Sequence, residues 1–167
     1  MQKIAVDSRT FCFDDSWLVM KYDETPFYKN HLRNSKGLKK SLKGVDFIAF
    51  DPRTRELFLI ESKDYRVHKR EKKTPLEEEF FKKVLDTLTG ILPTCLCSVS
   101  RVNGEDVLNK SVTRAKKIRL VFQLELSLTP DVLANLQIKL RQELRIFDPH
   151  VLVINSDNQY RVAWNVI

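Results

Sequence analysis

The sequence predicts an α/β layered domain, on three observations. Two short runs, 45–50 and 57–60, are apolar throughout apart from Asp46, a pattern that suits strands covered on both faces inside a sheet. Leu76, Phe80, Phe81, Val84, Leu85, Leu88 and Leu92 recur at helical spacing and form one apolar face. Strand-like and helix-like segments then alternate toward the end of the chain. At 167 residues, 43% hydrophobic and 31% charged, the chain can bury a real core, and one domain over 1–167 is expected.

Taken in order, residues 11–22 carry Phe11, Phe13, Trp17, Leu18, Val19, Met20 and Tyr22 and fit a strand or an early helix equally. Thr25-Pro26 follows as an N-cap with proline at the first helical position, opening a turn or two through Phe27, Tyr28 and His31. Residues 34–44 are polar, basic and loop-like. The strands 45–50 and 57–60 flank a turn, Asp51-Pro52-Arg53-Thr54-Arg55-Glu56, that Pro52 is placed to fix. Thr74-Pro75-Leu76-Glu77 starts a helix with a threonine cap, proline first and glutamate at the capping-box position; Pro93 ends or kinks it. Residues 94–117 fit no single state, Asn103-Gly104 being their clearest turn. A strand is expected over 118–126, then a helix opened by Thr129-Pro130-Asp131 and stopped by Asp148-Pro149. Late strands are expected over 151–154 and 160–167, around a turn at Asn155-Ser156-Asp157-Asn158.

The net charge of +7 favours a polyanionic partner. The charge is clustered: Lys29, Arg33, Lys36, Lys39, Lys40 and Lys43 run without an acid between them. Lys63, Arg66, Lys69, Arg70, Lys72 and Lys73 are opposed only by Asp64 and Glu71. A third group holds Lys110, Arg114, Lys116, Lys117 and Arg119. The first two flank the strand pair on both sides, which makes nucleic acid the leading partner class. Lys39, Lys40, Lys43, Arg66, Lys69, Arg70, Lys72 and Lys73 are the candidate backbone contacts.

No apolar run approaches the roughly 18–20 residues that span a bilayer, so no membrane partner is expected. The N-terminus lacks a signal-peptide core, and a cytoplasmic protein is expected. Cys12, Cys95 and Cys97 make neither a disulfide framework nor a zinc spacing and read as small buried hydrophobes. His31, His68 and His150 are scattered, and glycine-rich phosphate loops and Gly-x-Ser-x-Gly elbows are missing.

The strand pair carries the chemistry. If the connector is symmetric with an even loop, pairing Phe50 with Leu57 places Asp46 directly opposite Glu61. Opposed residues project to one face with Cα atoms about 4.5–5.5 Å apart, and Lys63, two residues beyond Glu61, shares that face. Two such carboxylates repel and raise each other's proton affinity. A hard divalent cation relieves that repulsion and leaves positions for water and a phosphate oxygen. Lys63 is then placed to position a water or stabilise charge on the phosphate. The bland alternative is an acidic pair relieved by Lys63 at a solvated strand end.

Gly44-Val45-Asp46, an apolar hairpin and Glu61-Ser62-Lys63 together resemble the PD-(D/E)XK nuclease superfamily, the restriction-endonuclease-like fold. The motif match covers about 44–63, and the order of elements extends it loosely to 126. The resemblance implies a mixed sheet flanked by helices, with an αβββαβ core roughly within 15–126 and a helix plus late strands at 127–167. It implies that Asp46, Glu61 and the Ser62 carbonyl bind Mg²⁺, with Mn²⁺ as a substitute, and that Lys63 serves the attacking water. Many such nucleases add an acid from the first helix; Glu24 is the candidate, with Asp23 next. Val45 stands where the family name has proline.

The expected function is a Mg²⁺-dependent DNA endonuclease that hydrolyses phosphodiesters through metal-activated water. Two cuts or a branched junction need two sites, so a homodimer is among the expected assemblies. The rival class keeps the fold as a non-catalytic nucleic-acid-binding or assembly subunit, and a further alternative is an RNA-directed nuclease.

Overall fold

The structure, a computed structural model, describes residues 1–6, 8–33, 42–66, 70–71, 73–96, 106–126, 129–158 and 161–167. The chain begins with a hairpin: β1 (Gln2–Val6) and β2 (Arg9–Phe13) pair antiparallel. β3 (Leu18–Lys21) follows, then a 3₁₀ turn over Tyr22–Glu24 and a π-helical segment over Tyr28–Arg33. β4 (Phe47–Asp51), β5 (Glu56–Asp64), α1 (Leu76–Leu96), α2 (Asp106–Arg114), β6 (Lys117–Glu125), α3 (Pro130–Glu143), β7 (Leu152–Ile154) and β8 (Asn165–Val166) complete the order.

These strands make two sheets. The larger has the order β3-β4-β5-β6-β7, and the smaller has the order β1-β2-β8. In the larger sheet β3, β4 and β5 pair antiparallel, whereas β5-β6 and β6-β7 are parallel. Parallel neighbours need crossovers, which α1 with α2 and then α3 supply. The fold is therefore mixed α/β with two sheets.

Strand alternation splits the core in two. Ile48, Phe50, Leu57, Leu59, Leu120 and Phe122 face the helices, where Phe80 of α1 stacks on Phe122 with ring centroids 4.8 Å apart. Phe47, Ala49, Ile60, Val121 and Ile154 face the small sheet and meet Phe11, Phe13, Trp17 and Trp164. All of β4 is buried, which explains its unbroken apolar run.

The hairpin register agrees with the expectation. Phe47 pairs with Ile60, Phe50 with Leu57 and Asp51 with Glu56. The turn is held by more than Pro52: Asp51 Oδ1 accepts the Arg53 N–H at 2.9 Å, and Arg55 takes a left-handed φ of 58°. Thr25 caps as expected, its hydroxyl accepting the Tyr28 N–H at 3.3 Å. Thr129 and Pro130 open α3, with no capping hydrogen bond to the Thr129 side chain among the described residues.

Several expectations are corrected. The first helical segment lies between β3 and β4, not ahead of three consecutive strands, because Tyr22–Glu24 turns the chain as soon as β3 ends. α1 continues through Pro93 to Leu96, so the proline does not end it. α3 ends at Glu143, before Asp148-Pro149. Among the described residues of 160–167 only Asn165–Val166 is a strand, and it pairs with β2 rather than the main sheet. Asn103-Gly104 and Tyr160 lie outside the described residues. Cys12 is buried with a free thiol. Among the described residues no helix is long and apolar enough to cross a membrane.

Candidate active site

The site starts at Gly44. A Cβ there would lie 2.7 Å from the Tyr22 ring and 3.0 Å from that of Tyr28, so only glycine admits both rings. The Gly44 N–H donates to the Tyr28 hydroxyl at 2.9 Å. α1 takes the flanking donors: Asp86 Oδ2 accepts the Lys43 N–H and Thr87 Oγ1 the Val45 N–H, each at 2.9 Å. The chain therefore enters β4 with Asp46 already anchored to the helix layer.

Continuing the register by one residue sets Asp46 opposite Glu61, and the Ser62 N–H donates to Asp46 Oδ2 at 2.7 Å. Lys63 Nζ lies 2.7 Å from Glu61 Oε1, 3.9 Å from Asp46 Oδ2 and 3.0 Å from the Ser62 carbonyl oxygen. The three groups expected to converge do so on the helix face of the sheet, at the C-terminal end of β5.

A fourth group joins them that the sequence reading missed. Lys83 of α1 reaches Glu61 Oε1 at 2.5 Å and Asp46 Oδ1 at 3.5 Å. Its side chain is 13% exposed, less than the 22% of Lys63. The signal was helical spacing: Lys83 is three residues after Phe80 and four before Thr87, both fully buried, so it is a lysine on the sheet-facing side of α1.

Burial first, and the Asp46 charge second, push the Glu61 carboxyl up to about 7, against the opposing pull of Lys83 and Lys63. Glu61 Oε2 is buried without a hydrogen-bond partner among the described residues. Such an oxygen is costly to bury bare, and a hard cation between the two carboxylates would satisfy it. Among the described residues no group of three or more His, Cys, Asp and Glu side chains converges to hold a metal. The donors on offer are thus two carboxylates and the Ser62 carbonyl.

The acid before the first helical segment is corrected. Glu24 is exposed and pairs with Lys21 at 2.6 Å, which holds its carboxyl below the usual range. Asp23 is instead the acid in electrostatic reach of the site: burial first, then the Asp46 charge, raise its proton affinity, while Lys83 lowers it.

The expected nucleic-acid contacts divide three ways. Lys43 and Lys73 are exposed, and Lys43 lines a groove of about 140 Å³ with Thr74, Glu79, Lys82 and Lys83. Arg66 and Arg70 are engaged within the chain: Arg66 forks onto Asp64 at 2.9 and 2.6 Å, and Arg70 bonds the Thr74 carbonyl and reaches Glu79 at 3.4 Å. Lys39, Lys40, Lys69 and Lys72 lie outside the described residues. A larger cavity of about 680 Å³ sits at the other end of the sheet, among Leu57, Ile118 and Phe147, and none of the four site residues lines it.

No protein-family model, curated protein or solved structure matches the chain.

Proposed function

We propose that the chain is a Mg²⁺-dependent DNA endonuclease of PD-(D/E)XK type, built on a restriction-endonuclease-like sheet. The observation that carries the reading is the convergence of Asp46, Glu61 and Lys63 at one strand end, with a buried Glu61 oxygen left bare. Asp46, Glu61 and the Ser62 carbonyl would hold Mg²⁺, which supplies Lewis-acid polarisation of a phosphoryl oxygen and a lowered pKa for water. Lys63 positions the attacking water or meets charge growing on the phosphate. Lys43 and Lys73 offer exposed charge for a DNA backbone beside the site. A homodimer would supply two such sites for two cuts.

A second reading has its own support. Lys63 and Lys83 together already neutralise Asp46 and Glu61, as a purely structural ion cluster would. On that reading the chain is a nucleic-acid-binding or assembly subunit without activity.

Plasmid nicking separates the two. With Mg²⁺ or Mn²⁺ the wild type nicks DNA, and Lys63→Ala lowers the rate by about 10²-fold or more while DNA affinity changes little. Equal inactivity of both proteins on linear, branched and single-stranded DNA sinks the nuclease reading, and cleavage of RNA alone would redirect it to an RNA-directed enzyme.

A further inference from the structure

Glu61 Oε1 lies within 2.7 Å of two ammonium groups, and only one of them comes from the strand that carries the motif. The other, Lys83, spans Glu61 and Asp46, the two carboxylates a divalent ion would need. Lys83 also lines the groove that holds Lys43 and Lys82. Lys82 is committed elsewhere, to Asp86 at 2.8 Å. Lys83 thus stands between the acidic pair and a basic groove.

We propose that Lys83 is an exchangeable cation, holding Asp46 and Glu61 when no divalent ion is bound and released, when one binds, into the groove to pair with a phosphate of nucleic acid. This rests on the metal-nuclease reading of the same carboxylates. Its physical basis is competition. An ammonium and a divalent ion in contact with the same two carboxylates repel each other, so binding of one weakens the other. Binding linkage is reciprocal, so an anion that draws Lys83 away strengthens metal binding by the same factor. Metal and nucleic acid then bind cooperatively through one side chain, and the ion is held weakly until substrate arrives.

The test is Mn²⁺ binding followed by electron paramagnetic resonance, without DNA. Lys83→Met tightens Mn²⁺ at least about tenfold, whereas Lys82→Met, which removes the neighbouring charge without touching either carboxylate, changes it by no more than about twofold. In the unmutated protein, Mg²⁺ raises the acetylation rate of Lys83 severalfold relative to that of exposed Lys139, a readout that needs no variant to fold. Affinity for a duplex oligonucleotide falls in Lys83→Met when Ca²⁺ is present and not in EDTA. Wild type that binds Mn²⁺ while Lys83→Met binds it no better overturns the exchange and leaves the nuclease reading standing. An unchanged acetylation rate, or an equal loss of DNA affinity in both conditions, also overturns it. Failure of wild type and Lys83→Met alike to bind Mn²⁺ at millimolar concentration overturns both readings.

Discussion

Glu61 sits in surroundings far from those of a free side chain, almost fully buried. Its carboxyl, ordinarily near 4.5, is pushed up to about 7, chiefly by burial. The sign of the effect on stability follows directly. Between about pH 4.5 and 7 the folded chain holds a proton at Glu61 that the unfolded chain has released. Folding stability therefore falls as pH rises through that window and is level above it, as far as this group is concerned. Glu61→Gln removes the dependence. The melting temperature of Glu61→Gln minus that of wild type, recorded in EDTA, should grow from pH 4.5 to pH 7 and then stay constant. A gap that does not change with pH would show that burial leaves Glu61 an ordinary carboxyl. Of the residues at this site, Asp46, Glu61 and Lys63 could be read from spacing alone, because a strand repeats every two residues and a register needs only one fixed pair. Glu24 could not be separated from Asp23, because a 3₁₀ turn over Tyr22–Glu24 decides which of two adjacent acids faces the site.

At the scale of elements, the meeting of α1 with the entry to β4 is what positions the acids. Lys43, Gly44 and Val45 give their N–H groups to Asp86, the Tyr28 hydroxyl and Thr87 in turn. Gly44 is a tight point, since the rings of Tyr22 and Tyr28 occupy the space a side chain would need. Those rings are rigid, so Gly44→Ala forces the chain or the rings to shift. We expect it to destabilise the protein by about 1–3 kcal/mol in urea denaturation, the usual range for overpacking a core. A neutral or stabilising result would mean that the rings give way freely. The π-helical segment that brings Tyr28 to this point was visible in sequence only as the Thr25-Pro26 cap. Its reach to Gly44 was not, because the intervening contact joins residues 16 apart through a side-chain hydroxyl.

Across the whole molecule, the small sheet closes the face of the main sheet that the helices leave open. Aromatic packing does most of this, with Phe11 against Phe47 at 4.6 Å and Trp17 against Phe58 at 5.3 Å. A buried charge cluster does the rest. Arg9 of β2 reaches Glu125 at 3.2 Å, Ser156 at 3.0 Å and Asp64 at 3.8 Å, tying the hairpin to the ends of β5 and β6. Asp64 immediately follows Lys63, so this cluster lies on the reverse side of the strand end that bears the candidate site. Arg66, hydrogen-bonded to Asp64, is the main reason that carboxyl sits well below its usual range. Arg9→Met leaves Glu125 and Asp64 without their buried cation and should cost about 3–5 kcal/mol of folding free energy. Arg9→Met combined with Glu125→Met should cost less than the sum of the two single changes, measured as a double-mutant cycle. Strict additivity would show that the pair is not coupled.

What the sequence determined by itself was local and periodic: the apolar hairpin, its register, the proline-led starts of α1 and α3, and the convergence of Asp46, Glu61 and Lys63. These follow from repeats of 2.0 and 3.6 residues and from capping chemistry, which act within a few positions. Tertiary structure alone decided that β1, β2 and β8 form a second sheet, that Arg66 and Arg70 are engaged within the chain, and that Lys83 shares Glu61 with Lys63. Each of these depends on contacts between segments whose relative placement is set by packing, and charge in a sequence does not say whether a cation will meet solvent, a partner or an acid of its own chain.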